Sequence, residues 1–207
     1  MSKKHRRIGL YGGSFDPVHM GHMLTAQKAL DQFNLDKVIF IPNARPPHKE
    51  TLATPDQRYA MLVMSIETGD KFEVSDCEMR ATEKAYTIET LLHMKKMYPD
   101  ASLFFIIGSD TLYELHSWKS ICSVMHLCEF IVVERPGYSY PMKPEDIRLN
   151  SRYAKATCRN WIKNMPWDLS SSEIRKAIQD GIEVSYLIPH PVEKYIREHR
   201  LYGKQTA

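Results

Sequence analysis

A chain of 207 residues is long enough for one large domain and short for two, and it can bury roughly 70% of its unfolded surface without staples. A make-up of 43% hydrophobic and 26% charged residues is that of an ordinary folded protein, and a net charge of +3 mildly favours anionic ligands while arguing against a nucleic-acid binder. Four cysteines (Cys77, Cys122, Cys128, Cys158) with no CxxC spacing argue against a disulfide framework and suit free thiols in a reducing cytoplasm.

In chain order, the basic segment Met1–Arg7 runs straight into a strand, Ile8–Tyr11, without the apolar stretch of a signal peptide. Met23, Ala26, Leu30 and Phe33 mark a first helix face, and Val38–Ile41 a second strand. Residues 42–54 form a proline-rich loop, a candidate to close over a ligand. Helices follow over 56–68 (Tyr59, Leu62, Val63, Ile66) and 86–98 (Ile88, Leu91 and Leu92 inward), on either side of a short strand at Phe72–Val74. Leu103–Ile107 and Phe130–Val133 lack polar alternation, as strands buried on both faces do, and such runs are far too short to span a membrane. Residues 136–168 suggest loops around a short helix. The chain closes with helices over 171–179 (Ile174, Ala177, Ile178) and from Pro191 (Val192, Tyr195, Ile196). This alternation predicts an α/β fold, a Rossmann-like doubly wound parallel sheet with helices on both faces, and ligands beyond the carboxyl ends of its strands.

Two segments carry chemistry. The first is Gly12-Gly13-Ser14-Phe15-Asp16-Pro17-Val18-His19-Met20-Gly21-His22, between the first strand and the first helix. Glycines there let backbone amides approach a phosphate, and a helix start attracts it. His19 and His22 lie three apart on one helix face, as phosphate-facing groups or as a metal pair. Asp16 reads as a turn or cap residue, or as a contact to the ligand. The second segment is Ser170-Ser171-Ser172-Glu173-Ile174-Arg175. Ser170 and Glu173 fit a capping box, and Arg175 shares a face with Ser171 and Ser172, so hydroxyls, helix-start amides and a guanidinium could clamp a triphosphate.

Together the two segments resemble the signatures of the nucleotidyltransferase superfamily. His19-Met20-Gly21-His22 resembles the (H/T)xGH motif, and Leu169 through Arg175 resembles ISSTxxR, with Leu169 for Ile and Ser172 for Thr. Asn43-Ala44-Arg45-Pro46-Pro47-His48-Lys49, Ala85-Tyr86-Thr87, Ile106-Ile107-Gly108-Ser109-Asp110, Trp118, Glu134-Arg135-Pro136-Gly137 and Leu187-Ile188-Pro189 through Tyr202 are similar to segments of the bacterial nicotinate-nucleotide adenylyltransferases. The resemblance covers nearly the whole chain and is weakest over 138–160.

The resemblance implies one nucleotidyltransferase domain over 1–207, its C-terminal part from about 165 carrying the SSSxxR helix. It implies a cytoplasmic enzyme of NAD biosynthesis that joins ATP and nicotinate mononucleotide into deamido-NAD with release of pyrophosphate. Mg²⁺ would come with ATP rather than in a protein metal site. His19, His22 and Arg175 would be catalytic. Gly12, Gly13, Ser14, Phe15, Ser171 and Ser172 would join them in holding ATP. Asn43, His48, Lys49, Tyr86, Thr87, Gly108, Asp110, Trp118 and Arg135 would hold the mononucleotide, with Trp118 stacking on the pyridine ring and the backbone at Tyr86–Thr87 receiving its carboxylate. No nucleic acid or membrane partner is expected, and self-association into a homo-oligomer is left open. Nicotinamide mononucleotide or pantetheine phosphate are alternative acceptors. A non-catalytic nucleotide sensor is the alternative of another class, to which the full set of His19, His22 and Arg175 speaks against.

Overall fold

The computed structural model describes residues 5–45, 51–66, 71–79, 85–135, 149, 151–157, 159–163 and 169–203. Among them, six parallel strands form one sheet: β1 (Arg7–Gly13), β2 (Lys37–Pro42), β3 (Phe72–Val74), β4 (Ser102–Gly108), β5 (Cys128–Val133) and β6 (Trp161–Ile162). Their spatial order is β3-β2-β1-β4-β5-β6. The order reverses between β1 and β4, which opens a crevice at the carboxyl ends of those two strands. Register brings the strand ends level there. Gly13 lies beside Pro42, Tyr11 beside Ile106, and Gly108 beside Val133.

Period-2 alternation sends each strand's apolar residues to two cores. Val38, Phe40, Phe104, Ile106, Ile131 and Val133 face one layer, built from α1 (Met20–Gln32), α2 (Pro55–Ser65), α6 (Ser171–Gln179) and α7 (His190–Glu198). Ile8, Leu10, Ile39, Ile41, Phe105 and Val132 face the other, built from α3 (Thr87–Met97), α4 (Ile121–Leu127) and α5 (Ser151–Thr157). The doubly wound α/β architecture expected from the alternation is therefore the one observed. No helix among the described residues is long and apolar enough to cross a membrane.

Several expectations change. Leu92 is 55% exposed, and α3 instead buries Thr90 and Met94 with Ile88 and Leu91. Val63 is 45% exposed, because α2 turns Arg58, Met61 and Leu62 inward. The backbone at Ile66 is already extended, so α2 stops at Ser65. Two 3-10 turns (Ser109–Tyr113, Leu115–Ser117), α4 and the two-residue β6 go beyond what the sequence suggests. None is long enough to display a hydrophobic period.

Candidate active site

The loop from β1 to α1 forms one wall of the crevice. Phe15 adopts a left-handed backbone (φ 50°), which a non-glycine residue holds only under strong constraint. Its ring supplies that constraint by packing edge-on against Tyr11, His22 and Phe40, and it is almost fully buried. Phe15 can therefore offer a nucleotide only its main chain. His19 is the N-cap of α1, with extended backbone, and His22 is the third helical residue. The His19 N–H donates to Nδ1 of His22 (3.3 Å), which leaves Nε2 to carry the His22 ring proton when the ring is neutral. The two imidazoles stack with centroids 3.7 Å apart.

His19 is 4% exposed, and its Nδ1 is buried without a hydrogen-bond partner among the described residues. Burial, and then the nearby Arg135 cation, push its pKa down to about 4. At neutral pH it is thus an uncharged imidazole with an unspent polar atom. Gly21, between the two histidines, leaves the His19 ring its place. A Cβ there would stand 3.0 Å from His19 Nδ1 and 3.4 Å from Leu169 Cβ.

Hydrogen bonds join the two motifs across the sequence. Ser170 caps α6 in a reciprocal box with Glu173, accepting from its N–H (3.2 Å) and donating to its carboxylate (2.7 Å). The Ser171 hydroxyl donates to the Pro17 carbonyl (2.9 Å). Arg175 donates from Nη1 to the Asp16 carbonyl (2.7 Å) and from Nη2 to the Ser172 hydroxyl (3.2 Å). The start of α6 is thereby bolted onto the β1–α1 loop, with the guanidinium beside the histidine pair's loop.

The ends of β2, β4 and β5 and the start of α3 make the other wall. Asn43 donates its N–H to the Gly13 carbonyl (3.0 Å), and its side-chain oxygen accepts from the Arg45 N–H (2.8 Å). Asp110 and Arg135 face each other with 3.7 Å between Oδ1 and Nε, and the Arg135 N–H donates to the buried Ser109 hydroxyl (2.9 Å). Gly108 leaves room for that pair, since a Cβ would strike the Asp110 carboxylate and stand 2.9 Å from Arg135 Nε. Trp118 is half-buried and meets Phe105 and Phe130 edge-on. Tyr86 is the N-cap of α3 and Thr87 its first residue. Lys119 bridges these last two pieces, with Nζ 4.1 Å over the Tyr86 ring and 3.0 Å from the Glu89 carboxylate. His48 and Lys49 lie outside the described residues, as does the middle of the 42–54 loop.

Arg58, and the contact of Tyr202 with Asp16, escape the sequence patterns. Asp16 is neither a helix cap nor an exposed turn residue. It is buried, and its carboxylate accepts from the N–H groups of Leu52 and Ala53 and from the Tyr202 hydroxyl (2.7 Å). Burial and Asp16 raise the Tyr202 phenol's pKa, keeping it a donor. Arg58 is fully buried beneath the loops. Its signal was its place three and four residues before Met61 and Leu62 on one helix face, which an arginine masks.

Fold and site together define a nucleotide-binding α/β domain whose crevice lies between β1 and β4. The chain matches the cytidylyltransferase-like family model over residues 10–177. It is 39% identical over 202 residues to the probable nicotinate-nucleotide adenylyltransferase of Clostridium tetani, across 95% of this chain and 99% of that one. It is 38% identical over 213 residues to that of Pelobacter propionicus, across 96% and 99%. In fold it is similar to the nicotinic acid mononucleotide adenylyltransferase of Plasmodium falciparum solved in complex with NaAD, with a TM-score of 0.75 at 22% identity over 96% of this chain and 98% of that one. The chain belongs to the cytidylyltransferase-like family and, within it, to the nicotinate-nucleotide adenylyltransferases.

Proposed function

We propose that this enzyme joins ATP to nicotinate mononucleotide, giving deamido-NAD and pyrophosphate, as a single domain acting in the cytoplasm. The observation that carries the reading is the convergence at the switch point of the His19–His22 pair, the start of α1 and Arg175. The mononucleotide's 5′-phosphate oxygen attacks the α-phosphorus of ATP, and the bond to the bridging oxygen of pyrophosphate breaks. Such a transfer is governed by placement and charge neutralisation. The main chain at Gly12–Phe15 and the start of α1 receive the phosphates. His22 presents Nε2–H to the α-phosphate. His19 enters neutral and gains a proton only where phosphate charge offsets its burial. Arg175 neutralises the β- and γ-phosphates. The Ser171 and Ser172 hydroxyls act chiefly through the scaffold, because both already bond within it.

On the other wall, Trp118 stacks on the pyridine, and the α3 start at Tyr86–Thr87 takes its carboxylate. Asn43, Gly108, Asp110 and Arg135 line the ribose phosphate, with His48 and Lys49 as further contacts. Asp16 has both carboxylate oxygens engaged, and no group of three or more metal-ligating side chains stands together among the described residues. This donor set suits Mg²⁺ carried by the phosphates and water, where it supplies charge neutralisation to the leaving pyrophosphate.

The test is pyrophosphate release from ATP with nicotinate mononucleotide, nicotinamide mononucleotide and pantetheine phosphate in parallel. Highest turnover with the nicotinate acceptor is expected. Equal or faster turnover with the amide would remove the role of the α3 start, and ATP binding without release would leave a sensor.

A further inference from the structure

We propose that Arg58 is a positioning residue for this reaction, clamping the ATP-side and mononucleotide-side loops to one another. The inference rests on the assignment of those loops given above. Arg58 projects from α2 into the space beneath the crevice and is fully buried. Its Nη1 donates to the carbonyls of Ser14 and Asn43, both at 2.7 Å. Nη2 donates to Ala44 (3.1 Å) and Nε to Ala53 (3.4 Å). One planar guanidinium thus holds main-chain oxygens from the β1–α1 loop, from the end of β2 and from the approach to α2. A lysine has one nitrogen and cannot reproduce that fork.

The clamp continues to the triphosphate side. The Asp16 carboxylate, two residues after Ser14, lies 3.8 Å from Arg175 Nη1 and brings negative charge close to Arg58 as well. Asp16 is itself pinned by Leu52, Ala53 and Tyr202, and its main-chain oxygen orients Arg175. An unbroken run of bonds therefore leads from Asn43 and Ala44 through Arg58 and the 14–16 loop to Arg175. Mere filling of the space would not need a charge, and an apolar side chain of that size serves a core as well or better. What the charge adds is a fixed separation between the two loops, and so between the attacking phosphate and the α-phosphorus.

The experiment compares wild type with Arg58→Lys and Arg58→Gln, each checked for fold by circular dichroism and thermal unfolding. In Arg58→Lys the folded protein should lose kcat by about tenfold or more, with KM raised for both ATP and nicotinate mononucleotide, since an error on the order of 1 Å can cost 10²-fold. Arg58→Gln stands in where Arg58→Lys does not fold. In Arg58→Ala, checked for fold in the same way, methylguanidinium should restore activity without changing the thermal unfolding midpoint, and methylammonium should not; a purely structural loss would instead recover together with that midpoint. Unchanged kinetic constants per folded molecule, a defect confined to one substrate, or no selective rescue would overturn the proposal. A wild type inactive with every pyridine mononucleotide would overturn the functional reading itself.

Discussion

The two walls of the crevice are built differently. On the β1–α1 and α6 side, the bonds are buried or half-buried and run to main chain: Arg175 to Asp16, Ser171 to Pro17, Asp16 to Leu52 and Ala53, Arg58 to Ser14. On the α3 and β4–β5 side, the charged groups are half-exposed and pair side chain to side chain: Asp110 with Arg135 at 3.7 Å, and Lys119 with Glu89 at 3.0 Å. A wall tied through buried backbone holds its shape before any ligand arrives, so it can present transition-state donors without reorganising. A wall of exposed pairs is cheap to rearrange, and suits recognition of the acceptor. Catalytic power should therefore concentrate on the first wall and acceptor choice on the second.

The sharpest way to break that contrast is to remove the donors of the first wall. His19→Ala or His22→Ala should lower kcat by about 10² or more, with the thermal unfolding midpoint little changed, as loss of a preorganised donor does. Steady-state pyrophosphate release would check it, and an intact rate in either variant would move the chemistry elsewhere. Arg175→Ala should follow, with its loss falling mainly on the KM for ATP. A defect confined to the acceptor would place Arg175 on the wrong wall.

Adding one methyl group on each side compares the walls directly. Gly21→Ala pushes a Cβ against the His19 ring, and Gly108→Ala pushes one into the Asp110–Arg135 pair. Overpacking costs about 1–3 kcal/mol. On the buried wall that cost should appear as lost kcat, roughly tenfold. On the open wall the side chains can swing out to solvent, so the change should appear as a raised KM for the mononucleotide with kcat largely kept. The same signature from both variants would erase the distinction.

The buried wall should also be the pH-sensitive one. His19 titrates near 6.5 in an unfolded chain and at about 4 when folded. Its lowered pKa means that its share of stability is fully present above 6.5. That share is lost as the pH falls from there through about 4, because the unfolded state takes up the proton first. The loss is on the order of 3 kcal/mol. Urea unfolding of wild type and His19→Asn at pH 7 and pH 4.5 would measure it, and an equal pH dependence in both would assign the titration to another group.

What could be read from the sequence follows the same division. Leu103–Ile107 and Phe130–Val133 declare a buried parallel sheet by composition alone, and the histidine pair and Ser170–Arg175 are local patterns that survive in one chain. Arg58 and Tyr202 are not local. Arg58 lies 44 residues from Ser14, and Tyr202 lies 186 from Asp16. Arg58 belongs to no apolar period or motif, and Tyr202, though it ends the closing segment, has its part only where the chain returns to the loop. The face of α2 illustrates the loss. Tyr59, Leu62, Val63 and Ile66 make a plausible stripe, yet the helix buries the row that holds a charge. The contact of Lys119 with Tyr86 could not be read in this way, because the 3-10 turns before it are too short to carry a period.

The smallest expected effect is the most informative about the open wall. Lys119 sits over Tyr86, next in sequence to Trp118, and shares its charge with Glu89, whose carboxyl the lysine holds below its usual range. Both groups are about half-exposed, so the pair contributes at most ~1 kcal/mol and is screened by salt. Lys119→Ala should thus change stability little. It should lower the preference for nicotinate over nicotinamide mononucleotide by only a few-fold, an effect that fades at high ionic strength. If the α3 start provides most of the carboxylate site, the preference will largely survive. If Lys119→Ala abolishes it at every salt concentration, selection rests on that exposed ammonium, and the wall is more rigid than its solvent-facing pairs imply.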